Sequence, residues 1–326
     1  MPKLPVAVDA MGGDRAPDEI VEGAKRAHAE AGIPVVLVGR PGDLPPDHGL
    51  EVIAASEVIA MDADAGSSVR TMKDSSLVRA AEAVHDGKAC AMVSAGNTGA
   101  TMASALLRMG RIKGVARPAI ATPIPVPGST PTVLLDAGAN AECQPQWLVQ
   151  FAQMGAVFAR ERYAVARPKV GLLSIGEEPT KGNPLVKAAF GLLAEAELPG
   201  EFVGNVEGRD LMTGAVDVVV TDGFTGNVAL KTLEGGMRAL VDALFTVFGA
   251  SDEAKAAAEA LMPALLPLYQ QLDPDSYGGA MLLGVDGVCI ISHGSSSATA
   301  IVNAVRVAAE MADHDVVGML RSAVAA

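Results

Sequence analysis

The most chemically pointed residues of this 326-residue chain stand in two short loops, "SIGEEPTKGN" at residues 174–183 and "TDGFTGN" at residues 221–227. In the first, Lys181 is followed by Gly182, Asn183 and Pro184, so a cation precedes a helix that Asn183 can cap and Pro184 can start. In the second, a β-branched apolar run ends in a turn, and helical spacing begins at Val228. Helix N-termini present unpaired N–H groups and the positive end of a dipole, so both places suit a small anion. Asp222 complicates this, because a carboxylate repels an anion. It fits if it accepts the anion's proton or orients Lys181; the alternative is an Asx turn that caps the helix at Asn227.

Four further loops follow apolar runs: "DAMGGD" with Asp9, Gly12, Gly13 and Asp14, "SAGNTGA" with Ser94, Gly96, Asn97 and Thr98, "LDAGAN" with Asp136 and Asn140, and "GNVEGRD" with Asn205 and Glu207. The second of the opening pair adds Gly223, Phe224, Gly226 and Asn227. Glycine lets backbone approach a ligand, and Asn, Asp, Ser or Thr adds oriented polar groups. One such loop is ordinary turn chemistry. Six on one edge of an open α/β sheet, beyond the carboxyl ends of the strands, would line a single crevice. Asp9 and Asp14 read as loop holders that bond backbone N–H groups. His293, in "SHGSSS", is the one histidine of five in a strand-end loop, and Ser295 or Ser296 should cap the helix after it. Dinucleotide-type "GxGxxG", P-loop and "GxSxG" signatures are missing, as is a metal-ligand set.

These loops need a scaffold. Apolar runs at residues 6–9, 35–38, 91–94, 133–136, 170–174, 202–205 and 218–221 read as strands, mostly separated by helix-length segments. That alternation calls for a largely parallel sheet with helices on both faces. Residues 119–126 carry Pro123 and Pro125, which demotes them to an edge strand or loop. Residues 63–74 read as a mobile polar connection before a helix capped by Ser75 or Ser76. Residues 251–276 read as a protruding helical pair, broken or kinked at Pro263 and Pro267, on a single domain spanning residues 1–326. A net charge of −13 argues against a nucleic-acid partner. Three cysteines without C-x-x-C spacing, no signal-like start and no apolar stretch of the ~18 residues a span needs suggest a cytoplasmic protein.

Taken in order, "DAMGGD", "SAGNTGA", "LDAGAN", "IGEEPTKGN", "NVEGRD", "TDGFTGNVALKTLEG" and "YGGAMLLGVDG…SHG" resemble the loops of the bacterial phosphate acyltransferase family. The resemblance implies a three-layer α/β/α sandwich related to isopropylmalate dehydrogenases and phosphotransacetylases, a homodimer, and no cofactor. It implies transfer of a fatty acyl group from acyl carrier protein to inorganic phosphate, giving acyl phosphate for phospholipid (phosphatidic acid) synthesis. Lys181, Asp222, Asn183 and His293 are then the expected catalytic residues, and the remaining loop residues bind substrate. Asn97, Thr98 and Asn140 would donate to the oxyanion or hold the pantetheine arm, with helix capping as the competing role. The chemistry is consistent with missing triads. Phosphate is anionic near neutral pH and a thiol of pKa about 8.5 leaves readily, so positioning and electrostatics carry the rate.

An acidic carrier protein would need a basic island, and Arg108, Arg111, Lys113 and Arg117 supply one without an intervening carboxylate, with Arg70, Lys73 and Arg79 as the alternative. Relatives in the resembled family are often more basic before "KDSS" and in the protruding helices. Here residues 251–276 hold five acids and one Lys, so peripheral membrane contact through residues 261–272 would rely on leucines, and partner-subunit packing is the favoured reading. Two other readings stay open: a nicotinamide-dependent decarboxylating dehydrogenase of the same fold type, and a non-catalytic acyl-carrier-binding scaffold.

Overall fold

The computed structural model describes residues 3–325. Its strands are β1 (Val6–Asp9), β2 (Val35–Gly39), β3 (Glu51–Ala54), β4 (Ala91–Ser94), β5 (Ala119–Ile124), β6 (Thr132–Leu135), β7 (Lys169–Leu173), β8 (Glu201–Val206), β9 (Val218–Val220), β10 (Ala280–Leu283) and β11 (Val288–Ile291). They form one sheet in the order β3-β2-β1-β4-β11-β10-β5-β6-β9-β7-β8. The helices are α1 (Asp18–Ala31), α2 (Ala65–Thr71), α3 (Ser76–His85), α4 (Thr98–Arg108), α5 (Pro145–Tyr163), α6 (Pro184–Glu195), α7 (Gly223–Phe248), α8 (Asp252–Leu272), α9 (Ala298–Asp313) and α10 (Val316–Ala325).

Strand side chains alternate between two cores, as a pleated backbone requires. In β1, Val6 and Val8 belong to the core shared with α1, α5, α9 and α10, while Ala7 belongs to the core shared with α3 and α4. The result is the expected α/β/α sandwich. Small residues let the layers approach closely: a Cβ on Gly23 of α1 would stand 2.6 Å from the Ala298 carbonyl of α9.

Several elements depart from the sequence expectations. The proline-bearing run is β5, near the middle of the sheet rather than at its edge. It tolerates Pro123 because β10 pairs only as far as Ala121, which leaves that proline with a strand on one side. The connection before α3 contains the short helix α2, capped by Asp64, while Ser75 caps α3 as expected. α8 runs continuously through Pro263 and Pro267; both prolines are exposed, so water can satisfy the carbonyls they leave unpaired. β10 and β11, unforeseen in the alternating pattern, form an antiparallel pair inside the sheet.

Candidate active site

The polar loops do not share one edge. β1 and β4 run parallel to β11, and β6, β9, β7 and β8 run parallel to one another. Between these groups, β11–β10, β10–β5 and β5–β6 are all antiparallel. Three reversals invert the strand direction, so the carboxyl ends of the two groups face opposite edges. The expectation of six loops on one edge is therefore corrected to two sets: β10, antiparallel to both neighbours, leaves β11 and β5 pointing the same way, and the antiparallel β5–β6 pair makes the inversion.

In the first set, Asp9 is buried and accepts from Ser94 Oγ at 2.7 Å and from Met11 N at 3.3 Å. Burial raises its pKa above the ordinary carboxylate value. Gly12 packs so tightly on Gly96 that a Cβ there would lie 2.8 Å from the Gly96 backbone. Asn97 caps α4 through Ala100 N at 2.9 Å, and its amide donates to the carbonyls of Met61 and Ala63. Thr98 is exposed beside it. Asp9 thus holds its loop as expected. Asp14 bonds a neighbouring loop through its backbone N–H, to Gly294 O, and not through its carboxylate. Ser297, one or two residues beyond the expected positions, caps α9.

In the second set, one Asp136 oxygen accepts from the N–H groups of Ile120, Gly138 and Ala139, and the other from the backbone and side-chain nitrogens of Asn140. Burial nevertheless pushes its pKa up, against the lowering effect of these donors. Asn140 gives its remaining amide hydrogen to Pro118 O at 2.8 Å. Asp222 caps α7, with Thr225 N and Thr225 Oγ1 each 2.8 Å from one of its oxygens. Of the two roles weighed for Asp222, capping is the one the geometry displays. The side-chain amides of Asn97 and Asn140, expected as oxyanion donors, are both engaged in holding loops. Gly223 and Gly226 press against this turn, where a Cβ on Gly226 would fall 2.0 Å from the Asp136 carbonyl oxygen. Cys143 lies beside Asn140, and burial first, then the nearby Asp136 charge, pushes its thiol up to about 12.

On the same edge, Asn183 caps α6 through Val186 N at 2.9 Å. Gly182 has φ +99°, a left-handed conformation that favours glycine, and its loop folds over Ser174. Asn205 donates to Glu178 O at 2.8 Å, tying that loop to β8, and Glu207 belongs to the capping box that follows. Lys181 is exposed and has no side-chain partner among the described residues.

α7 joins the two sets. Asp222, Gly223 and Gly226 anchor its start, and Asn227 stands against Gly138. Two turns on, Lys231 Nζ lies 3.4 Å from Nε2 of His293, a residue of the first set, and 2.8 Å from Glu234 Oε2. Phe224, Asn227, Val228 and Lys231 share the exposed face, while Ala229, Leu230 and Leu233 pack inward. Sequence reading missed Lys231; its position four residues after Asn227 was the available signal.

The basic island is partly neutralised. Arg108 pairs with Glu82 at 3.5 Å and Arg117 lies 5.0 Å over the Trp147 ring. Arg111 donates to Ala116 O, which leaves Lys113 as the exposed cation without a partner among the described residues. Arg117 precedes Pro118, the acceptor for Asn140, so this segment adjoins the second set.

The family described as fatty acid synthesis protein matches residues 4–319. A phosphate acyltransferase of Heliobacterium modesticaldum is 50% identical over 313 residues, covering 93% of this chain and 92% of its own length. Another, of Geobacillus thermodenitrificans, is 47% identical over 322 residues, covering 97% and 98%. Among solved structures, a branched-chain phosphotransacylase of Enterococcus faecalis is similar with a TM-score of 0.62 at 15% identity, across 95% of this chain and 99% of that one. That likeness is one of fold.

Proposed function

The chain belongs to the fatty acid synthesis protein family, with phosphate acyltransferases among its relatives, and we propose that it transfers a fatty acyl group from acyl carrier protein to inorganic phosphate. A phosphate oxygen attacks the thioester carbonyl carbon, the C–O bond forms as the C–S bond breaks, and the proton of hydrogen phosphate ends on the departing thiolate. The products are acyl phosphate, a precursor for phospholipid synthesis, and the free carrier thiol. Neither step requires a strong acid or base, so the protein's work is to hold two substrates in line and stabilise the developing oxyanion.

The observation that carries this reading is Lys181, without a side-chain partner among the described residues, ahead of the capped N-terminus of α6, where ammonium and helix dipole act together on an anion. Direct attack by phosphate is favoured over an acyl-cysteine relay, because a Cys143 thiol held up to about 12 supplies almost no thiolate at neutral pH. Arg111, Lys113 and Arg117, beside the second loop set, serve as the docking surface for the acidic carrier. A second copy of the chain covers the exposed Leu261, Leu266, Leu268 and Tyr269 of α8, which gives a homodimer; sedimentation equilibrium of the wild type and of Leu266→Asp checks this.

The deciding assay traps free thiol during incubation with a long-chain acyl carrier protein. Thiol release should rise with phosphate concentration and saturate. Carrier binding without phosphate-dependent release would identify a scaffold instead.

A further inference from the structure

We propose that Lys231 is a catalytic residue, and that the exposed face of α7 bearing Phe224, Asn227, Val228 and Lys231 is where the thioester carbonyl is held while the acyl group is transferred. The assignment rests on the acyl-transfer reading above and supplies what that reading lacks, a set of donors for the oxyanion.

The amide hydrogens of Asn97 are taken by Met61 and Ala63, and those of Asn140 by Pro118 and Asp136. The N–H groups of Gly138, Ala139 and Asn140 all donate to Asp136. Of the side-chain amides beside this turn, that of Asn227 has no side-chain partner among the described residues, and it stands against Gly138. One turn further along α7 is Lys231. An i,i+4 pair lies on one helix face, about 5–6 Å apart at Cβ, within reach of a single carbonyl oxygen.

Lys231 is also fixed in place, as electrostatic preorganisation requires. It has three donors and no acceptor. One reaches Glu234 Oε2 at 2.8 Å and one His293 Nε2 at 3.4 Å, leaving the third free. Because Lys231 can only donate, Nε2 of His293 must accept, which puts the ring proton on Nδ1, 3.0 Å from Ser295 Oγ. His293 is then a positioning residue that acts through Lys231, in place of the catalytic role expected from the sequence. The Glu234 contact is an i,i+3 surface pair and competes weakly with a developing oxyanion. Lys231 keeps 49% of its side chain exposed, so a substrate can reach it. On the same face Phe224 and Val228, 66% and 51% exposed, offer apolar surface to the first methylenes of the acyl chain.

Hydroxylamine, a neutral nucleophile, separates action on the carbonyl from action on phosphate. Thiol release from a long-chain acyl carrier protein is followed with saturating phosphate or with hydroxylamine for the wild type, Lys231→Met, Lys231→Arg and His293→Ala. Lys231→Met should lower kcat about 10²-fold with either acceptor, with the KM for phosphate within about twofold and the thermal midpoint unchanged. Lys231→Arg should recover part of the loss, and His293→Ala should lose about tenfold or less by loosening the lysine. A loss confined to the phosphate reaction, or a kcat within about threefold of wild type for Lys231→Met, would overturn the proposal. A wild type that releases thiol to hydroxylamine but not to phosphate would instead refute the phosphate acceptor, while leaving the role of Lys231 open to the same comparison.

Discussion

The loops that close β1 and β6 hold themselves, whereas the segments around the starts of α6 and α7 carry side-chain donors that lack a full set of partners among the described residues. Asp9 and Asp136 are buried, and each is ringed by donors from its own or an adjacent loop. Lys181 and Asn227 stand in the open, and Lys231 keeps a donor free although it is held at two points. Both regions are rich in glycine and polar residues, so composition does not distinguish them. What does is the balance of donors and acceptors: a saturated carboxylate organises backbone, and a group left over after the backbone is satisfied is available to a substrate.

That contrast breaks most severely at the turn where the regions touch. Gly226→Ala would drive a methyl group into the Asp136 carbonyl oxygen, and should destabilise the fold by about 3 kcal/mol in urea unfolding. Asp136→Asn should cost nearly as much, about 2–3 kcal/mol, because an NH₂ group would face backbone donors that need an acceptor. Lys181→Met tests the opposite region. It should leave the urea midpoint unchanged and raise the KM for phosphate about tenfold, with the KM for the acyl carrier little affected.

A smaller effect is expected from acidity. Burial raises the pKa of Asp9 above the ordinary 3.8, so the folded protein binds this proton more tightly than the unfolded chain does. Its contribution to stability is therefore fullest below the unfolded value and is lost as pH rises through the raised one. The stability gap between wild type and Asp9→Asn should widen as pH falls from neutral toward that range, measured by urea unfolding at stepped pH. Smallest of all, Cys143→Ser should keep turnover within about twofold, since a thiol held up to about 12 has no thiolate to lose.

The layered architecture and most of the strands were legible because buried β-branched runs and helical periodicity are local signals. Caps such as Asn183 and Ser75 were legible for the same reason. The pairing partners of strands are not local. "AMLL" and "VCII" are short enough to be read as parts of a loop, and only in the sheet do they stand as an antiparallel pair that links its two halves. The candidate site followed the same division. Sequence singled out the polar strand-end loops, but it could not say that Asn97 and Asn140 are hydrogen-bonded internally, since their partners Met61 and Pro118 are remote in the chain. Lys231 was hidden within a helix, where an exposed lysine is ordinary until His293 is known to lie against it.

The position of β10 and β11 between β4 and β5 bears on biosynthesis. While a ribosome is still making the segment before residue 280, the sheet consists of two separate pieces, each with an open flank of unpaired peptide groups. The segment from residue 280 onward must insert to seal them. Truncated or stalled products should thus be the aggregation-prone species of this protein, and chaperone protection would be needed until the closing hairpin emerges.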